Sequence, residues 1–167
     1  MSLLTRRADR EAAYVDYVTA RQGHLRRIAY ALCGDWAKAD DLLQTALVKL
    51  YVAWPRVALD GKEDAYVRRI LVRANIDESR RPWRREVAGE LPDAAAPAGL
   101  PSEDRTVLFE ALQSLPPMQR KTVVLRHWLG LSVAEAAVEL GISEGTVKSH
   151  TSRGIEAMRA ALAEVER

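Results

Sequence analysis

The residues best suited to bind a polyanion lie near the C-terminus. A helical stretch there offers Glu144, Lys148, Ser149, His150, Ser152 and Arg153, with Thr151 at its flank. Lysine and arginine neutralise phosphates or donate to guanine, and serine hydroxyls suit several base edges. A second basic cluster occupies 65–85, where seven arginines (Arg68, Arg69, Arg73, Arg80, Arg81, Arg84, Arg85) stand against Asp77 and Glu78. Arginines on a helix beside Tyr66 and Trp83 suit a surface that tracks a nucleic-acid backbone and stacks its bases; a solvated charged face has the same composition. A third set, Asp40, Asp41 and Gln44 with Lys49, forms the polar side of an amphipathic segment and suits a protein partner. None of these sets is catalytic. Asp40 and Asp41 are adjacent and point apart on a helix, and the chain has no nucleophile–base pair or Gly-rich phosphate loop. One cysteine, Cys33, and three histidines without metal-ligand spacing leave no expectation of a disulfide, a metal or a cofactor.

The C-terminal set depends on a turn between two helices. Ser132-Val133-Ala134-Glu135 has the S-x-x-E form of a capping box. Ala136 and Ala137 are small where a second helix must approach, and Gly141 sits where the chain must turn with positive φ. Ile142 fills the corner, and Ser143 caps a second helix whose Val147 faces inward. Helix, glycine-containing turn and longer helix make a helix-turn-helix of the kind that reads the major groove. Upstream, Leu115-Pro116-Pro117-Met118 ends a helix at 102–114 and starts another, made basic by Arg120, Lys121 and Arg126.

In the N-terminal half, Ala39, Leu42, Leu43, Ala46, Leu47, Leu50 and Trp54 fall on one face of a helix over 36–54, which Asp35 can cap and Pro55 ends. The pattern over 14–32 predicts an earlier helix with a break near Gly23, then a left-handed cap at Gly34. Residues 57–61 read as a loop before a helix from about Glu63 to about Arg81. Strand alternation is absent, so the expected fold is all-α. From Glu86 to Pro101 there are three prolines, two glycines, three acids and no basic residue, which reads as a linker. The expected organisation is a helical domain at 1–85, a flexible linker at 86–101 and a second helical domain at 102–167. Whole-chain net charge is only +2, so the basic clusters are local features. No apolar run approaches the roughly 20 residues that span a bilayer, and the charged start MSLLTRRADREA lacks a signal-peptide core. The expectation is a cytoplasmic protein without membrane insertion.

Three stretches resemble one family. ADDLLQTALVKLY (39–51) is similar to the signature of the second conserved region of bacterial sigma factors. AYVRRILVRANIDESRR (65–81) resembles the helix that follows it, and 115–162 resembles the fourth region. Their order in a 167-residue chain resembles the extracytoplasmic-function group, of the actinobacterial sigma-E type. The resemblance implies a subunit that binds core RNA polymerase through the β′ clamp helices and the β flap and recognises promoter DNA, with no small-molecule substrate. Asp40, Asp41 and Gln44 would contact the polymerase. Arg69, Arg73, Asn75, Arg80 and Arg81, with the loop at 57–64, would hold the melted −10 strand and a flipped base. Lys148, Ser149, His150, Ser152 and Arg153 would meet the −35 element. An anti-sigma partner is left open. His150 stands where the family usually has arginine and Thr45 where glutamate is common, so promoter preference does not carry over. Two rival readings remain on the residues alone. A LuxR-like regulator shares the helix-turn-helix but needs no clamp-binding helix. A sigma-like adaptor that sequesters an anti-sigma partner would have a degraded recognition helix, whereas Lys148 and Arg153 are intact.

Overall fold

A computed structural model describes residues 3–79 and 107–167, all helix or turn with no strand among them. The expected linker at 86–101, together with Arg80, Arg81 and the start of the expected helix at 102–114, lies outside the described residues. Contacts divide the described chain into two compact units, 3–29 with 37–79 and 30–36 with 107–167.

The first unit is built from α1 (Leu3–Cys33) as far as residue 29, α2 (Trp36–Val57) from residue 37, and α3 (Glu63–Ser79). α1 runs unbroken through Gly23, contrary to the expected break. Gly23 is exposed with nothing within 4 Å of a Cβ placed there, so its cost is only the propensity term of about 1 kcal/mol. The fully buried Leu25 and Ile28 just beyond it hold the helix through packing. α2 likewise passes through Pro55 instead of stopping before it. Proline there forfeits one bond in the final turn, the next amides continue the pattern (Ala58 N–H to the Trp54 carbonyl, 2.9 Å), and Trp54 and Val57 are both buried. Gly34 does take the left-handed conformation between α1 and α2, with φ 75°. Glu63 and Asp64 occupy the first turn of α3, where carboxylates offset the helix dipole.

Leu42, Leu43, Ala46, Leu47 and Leu50 of α2 bury their predicted stripe with Leu25 and Ile28 of α1 and Val67, Leu71 and Val72 of α3. An aromatic cluster closes the open end. Tyr14 meets Tyr51 and Trp54 edge-on with ring centroids 5.1 and 5.6 Å apart, and its hydroxyl donates to the Leu47 carbonyl at 2.8 Å.

In the second unit, α4 (Val107–Gln113) leads through Leu115-Pro116 into α5 (Pro117–Val123), which opens on a proline at its first position as expected. α5 continues into a π turn over Val124–Trp128, and α6 (Val133–Leu140) and α7 (Glu144–Val165) follow. Leu112, Leu115, Val124, Leu125, Leu140, Val147 and Met158 fill the core between them. Among the described residues no helix is long and apolar enough to cross a membrane, and no cluster of three potential metal ligands exists.

Candidate nucleic-acid and protein interfaces

The corner between α6 and α7 forms from local chemistry. Ser132 Oγ accepts from the Glu135 amide at 3.1 Å, and Glu135 Oε1 accepts from the Ser132 amide at 3.3 Å. Gly141 takes φ 66°, and Ser143 Oγ accepts from the Thr146 amide at 3.1 Å to start α7. Ala136 and Val147 are completely buried, so α6 and α7 lie close together. α7 packs equally tightly on α5: a Cβ at the buried Gly154 would stand 2.7 Å from Val123 Cγ2. A helix held on two sides in this way presents its remaining face rigidly.

That face carries Glu144, Lys148, Ser149, Ser152 and Arg153, all exposed. Thr151 is half-buried, and its hydroxyl donates to the Val147 carbonyl at 2.7 Å. His150 is also half-buried, its Nδ1 shielded from solvent and making no hydrogen bond. It sits behind the exposed row, because three steps from Val147 bring position 150 toward the packed side. Beside Lys148 and Ser152 runs a groove of about 590 Å³ whose walls include Arg126, His127, Glu156 and Arg159. The guanidinium of Arg126 donates to the Leu131 carbonyl at 2.5 Å, which pins the loop between the π turn and α6. One carboxylate among these cations leaves the groove attractive to an anionic backbone. Arg159 and His127 were not singled out from the sequence. Arg159 lies more than four turns beyond Ser143 on α7 and His127 lies before the motif in the π turn, and only the fold brings them to the same groove.

On the first unit, α2 exposes Asp41, Gln44, Thr45, Val48, Tyr51 and Val52 along one side. Steps of three and four residues place them in one stripe. Val48 and Val52 are 62% and 76% exposed, unusual for large apolar side chains. Asp40 stands apart from this stripe. Arg26 of α1 donates to both its carboxylate oxygens, at 2.6 and 3.2 Å, so Asp40 fastens α1 to α2 while its side chain stays about half exposed.

α3 exposes Arg69 and Arg73. Asn75, expected to face nucleic acid, is instead 4% exposed. It follows Leu71 and Val72 by four and three residues and so shares their inward face. Before α3, Gly61 turns the chain with φ 63°, and Leu59 at the tip is 87% exposed. The root of this loop is held from α1: Tyr17 Oη donates to Asp64 Oδ1 at 2.5 Å, and Arg21 Nε donates to the same oxygen at 3.2 Å. Burial, then the bond to Asp64, pushes the Tyr17 phenol well above its ordinary pKa, so it stays a donor.

Known proteins share this organisation. The profile described as Sigma-70 region 2 matches residues 17–85, and the one described as Sigma-70, region 4 matches 105–158. The chain is 41% identical over 148 residues to the RNA polymerase sigma-E factor of Streptomyces avermitilis, covering 87% of this chain and 83% of that protein. It is 34% identical to the ECF RNA polymerase sigma factor SigL of Mycobacterium tuberculosis over 151 residues, 84% of each. Among solved structures, the sigma factor RpoE of Bartonella quintana, crystallised with the anti-sigma factor NepR, matches with a TM-score of 0.64 and 26% identity. That match covers 93% of this chain and 99% of the other.

Proposed function

Because this chain belongs to the extracytoplasmic-function (ECF) group of RNA polymerase sigma factors, we propose that it divides promoter reading between its two helical units. The chain binds core RNA polymerase and directs promoter-specific initiation. The region 2 match over 17–85 leaves no room for a LuxR-like regulator. α7 reads the −35 element through Lys148, Ser149, Ser152 and Arg153, while Arg126 and Arg159 in the adjoining groove take backbone phosphates. One observation carries this assignment: the four side chains are exposed together on a helix fixed by the Ser143 cap and the buried Gly154. His150 supports the row from behind.

α2 docks on the β′ clamp helices through Asp41 and Gln44, joined by Val48, Tyr51 and Val52; an apolar stripe rimmed by polar residues suits a protein interface. Asp40 keeps α2 in place through Arg26, and Asn75 packs inside α3. Arg69 and Arg73, with Arg80 and Arg81 further along the chain, hold the melted −10 strand, and the loop around Leu59 receives a flipped base. The second unit also meets the β flap. The Bartonella complex supports an anti-sigma partner for this chain as well. The protein works in the cytoplasm, without catalytic chemistry of its own.

Purified bacterial core polymerase, transcribing a genomic library with and without this protein, tests the reading. New start sites sharing −35 and −10 motifs are expected; their absence would refute it. Lys148→Glu/Arg153→Glu should leave core binding intact and remove −35-dependent starts. Retained promoter selectivity in that variant would show that α7 is not the reader.

A further inference from the structure

Where α1 meets the start of α3, three arginines and one carboxylate act on a single histidine, His24. Arg21 and Tyr17 both bond Asp64, which fixes this part of α1 against the first turn of α3. His24 and Arg27 follow Arg21 on α1 at three-residue steps, and Arg68 follows Asp64 by one turn on α3. All five side chains are half-buried, and directly behind them Leu25, Ile28, Val67 and Leu71 are at most 1% exposed. The cluster therefore rests on the rigid core of the unit. Its charges act on the imidazole between them. Burial first, then Arg21, Arg27 and Arg68, hold His24 below the ordinary histidine pKa, and Asp64 opposes them. Of the described groups that act on His24, three are guanidinium groups and one is a carboxylate, and on the same α3 the exposed Arg69 and Arg73 add positive charge. Neither the polymerase-facing stripe of α2 nor the −35 face of α7 uses any of these groups.

We propose that the Arg21–His24–Arg27–Arg68 cluster is a phosphodiester-binding site that grips the promoter backbone and extends the DNA-binding surface of α3 onto α1. The proposal rests on the sigma-factor reading. Guanidinium groups offer paired donors to phosphate oxygens, and Asp64 keeps Arg21 oriented without neutralising the cluster. Burial disfavours the imidazolium first and the arginines add to it; an arriving phosphate offsets the arginine part, so His24 takes up a proton more readily and becomes a further donor. Binding at this site is accordingly coupled to proton uptake and strengthens as the pH falls toward 6.

Holoenzyme assembled from the full chain and core polymerase, titrated with two fluorescent promoter fragments, tests the site. One fragment is fully duplex and the other is forked, with a single-stranded non-template −10 segment. For Arg27→Gln/Arg68→Gln, the slope of log Kd against log salt should flatten by roughly 0.7 per lost contact on a single strand, or about 0.9 on a duplex. Arg27→Lys/Arg68→Lys should keep most of the slope. Flattening on the forked fragment alone assigns the phosphate to the melted strand, and flattening on both assigns it to the duplex. Wild type should bind more tightly at pH 6.0 than at 7.5, and His24→Gln should weaken that dependence. An unchanged slope in the glutamine pair overturns the proposal, as does equal loss in the glutamine and lysine pairs, which would mean that the arginines serve the fold. Promoter-specific initiation by the wild-type holoenzyme is scored beside each titration. Its failure would bring down the sigma-factor reading and this site together, whereas initiation with an unaltered slope would bring down the site alone.

Discussion

His24 illustrates how much one side chain's surroundings can matter. Its folded-state pKa lies below its unfolded value, because burial and three arginines disfavour the imidazolium. Between the folded value and the unfolded value near 6.5, the unfolded chain binds more protons than the folded one. Stability from this group is thus present above about pH 6.5 and lost as the pH falls through the folded pKa. Thermal melts of wild type and His24→Gln at pH 7.5 and 5.5 should show a smaller acid-side loss in the variant; equal losses would show that His24 does not set this dependence. Residues such as Ser132, Glu135, Gly141 and Ser143 were legible in the sequence because their roles depend on neighbours two to four positions away. Asp40, Asn75 and His150 were not. Asp40 pairs with Arg26, 14 residues earlier, a partner that its own helix does not reveal. Asn75 and His150 belong to the right helices, yet a few tens of degrees of helix rotation decide whether such positions face core or solvent.

At the scale of elements, the helices owe their positions to crossings that leave little slack. The α5–α7 crossing depends on Gly154, where an added methyl group would meet Val123 Cγ2 at 2.7 Å. Gly154→Ala should gain about 1 kcal/mol of helix propensity and lose roughly 1–3 kcal/mol to overpacking. Urea unfolding of the full chain is expected to show lower stability; an unchanged midpoint would mean that Val123 moves aside easily. α2 poses the opposite case. On its outer stripe Val48 and Val52 are largely exposed, so Val48→Asp/Val52→Asp should change stability by no more than about 0.5 kcal/mol. The same variant should weaken core-polymerase binding by roughly tenfold or more, about 1.4 kcal/mol. Normal binding would remove the apolar stripe from the interface. Element existence was legible throughout, because the 3.6-residue period of α2 and the proline at the start of α5 are strong signals. The uninterrupted α1 and the passage of α2 through Pro55 were not, since packing at Leu25, Ile28, Trp54 and Val57 outweighs the local preference of one glycine and one proline.

For the whole molecule, a net charge of +2 conceals a division of labour. Asp41 lies on α2, whereas the exposed cations Arg69 and Arg73 lie on α3 and Lys148 and Arg153 on α7, so under the proposed assignment different substitutions disable polymerase binding and DNA reading. Asp41→Arg should weaken core binding, whereas Lys148→Glu/Arg153→Glu should spare it. With no shared partners, their effects on promoter occupancy should add in free energy to within about 0.5 kcal/mol. A large departure from additivity, measured by promoter binding of the four holoenzymes, would show that the two surfaces communicate. The division into two helical halves was legible from composition alone, because the proline- and acid-rich stretch at 86–101 has no helical period.

The π turn at Val124–Trp128 has a consequence for how such chains tolerate change. The Leu129 amide reaches back five residues to the Val124 carbonyl at 2.9 Å, so this turn holds one residue more than an α-helical turn would. Deleting a single residue there would restore ordinary α winding and remove the bulge from the groove wall. Arg126 and His127 sit within this surplus, on the wall of the groove beside Lys148. Chain length at this point, as much as amino-acid identity, therefore sets how Arg126 and His127 are placed against Lys148. An indel of one residue here would re-aim these two groove-lining side chains in a way that no single substitution in α7 can imitate.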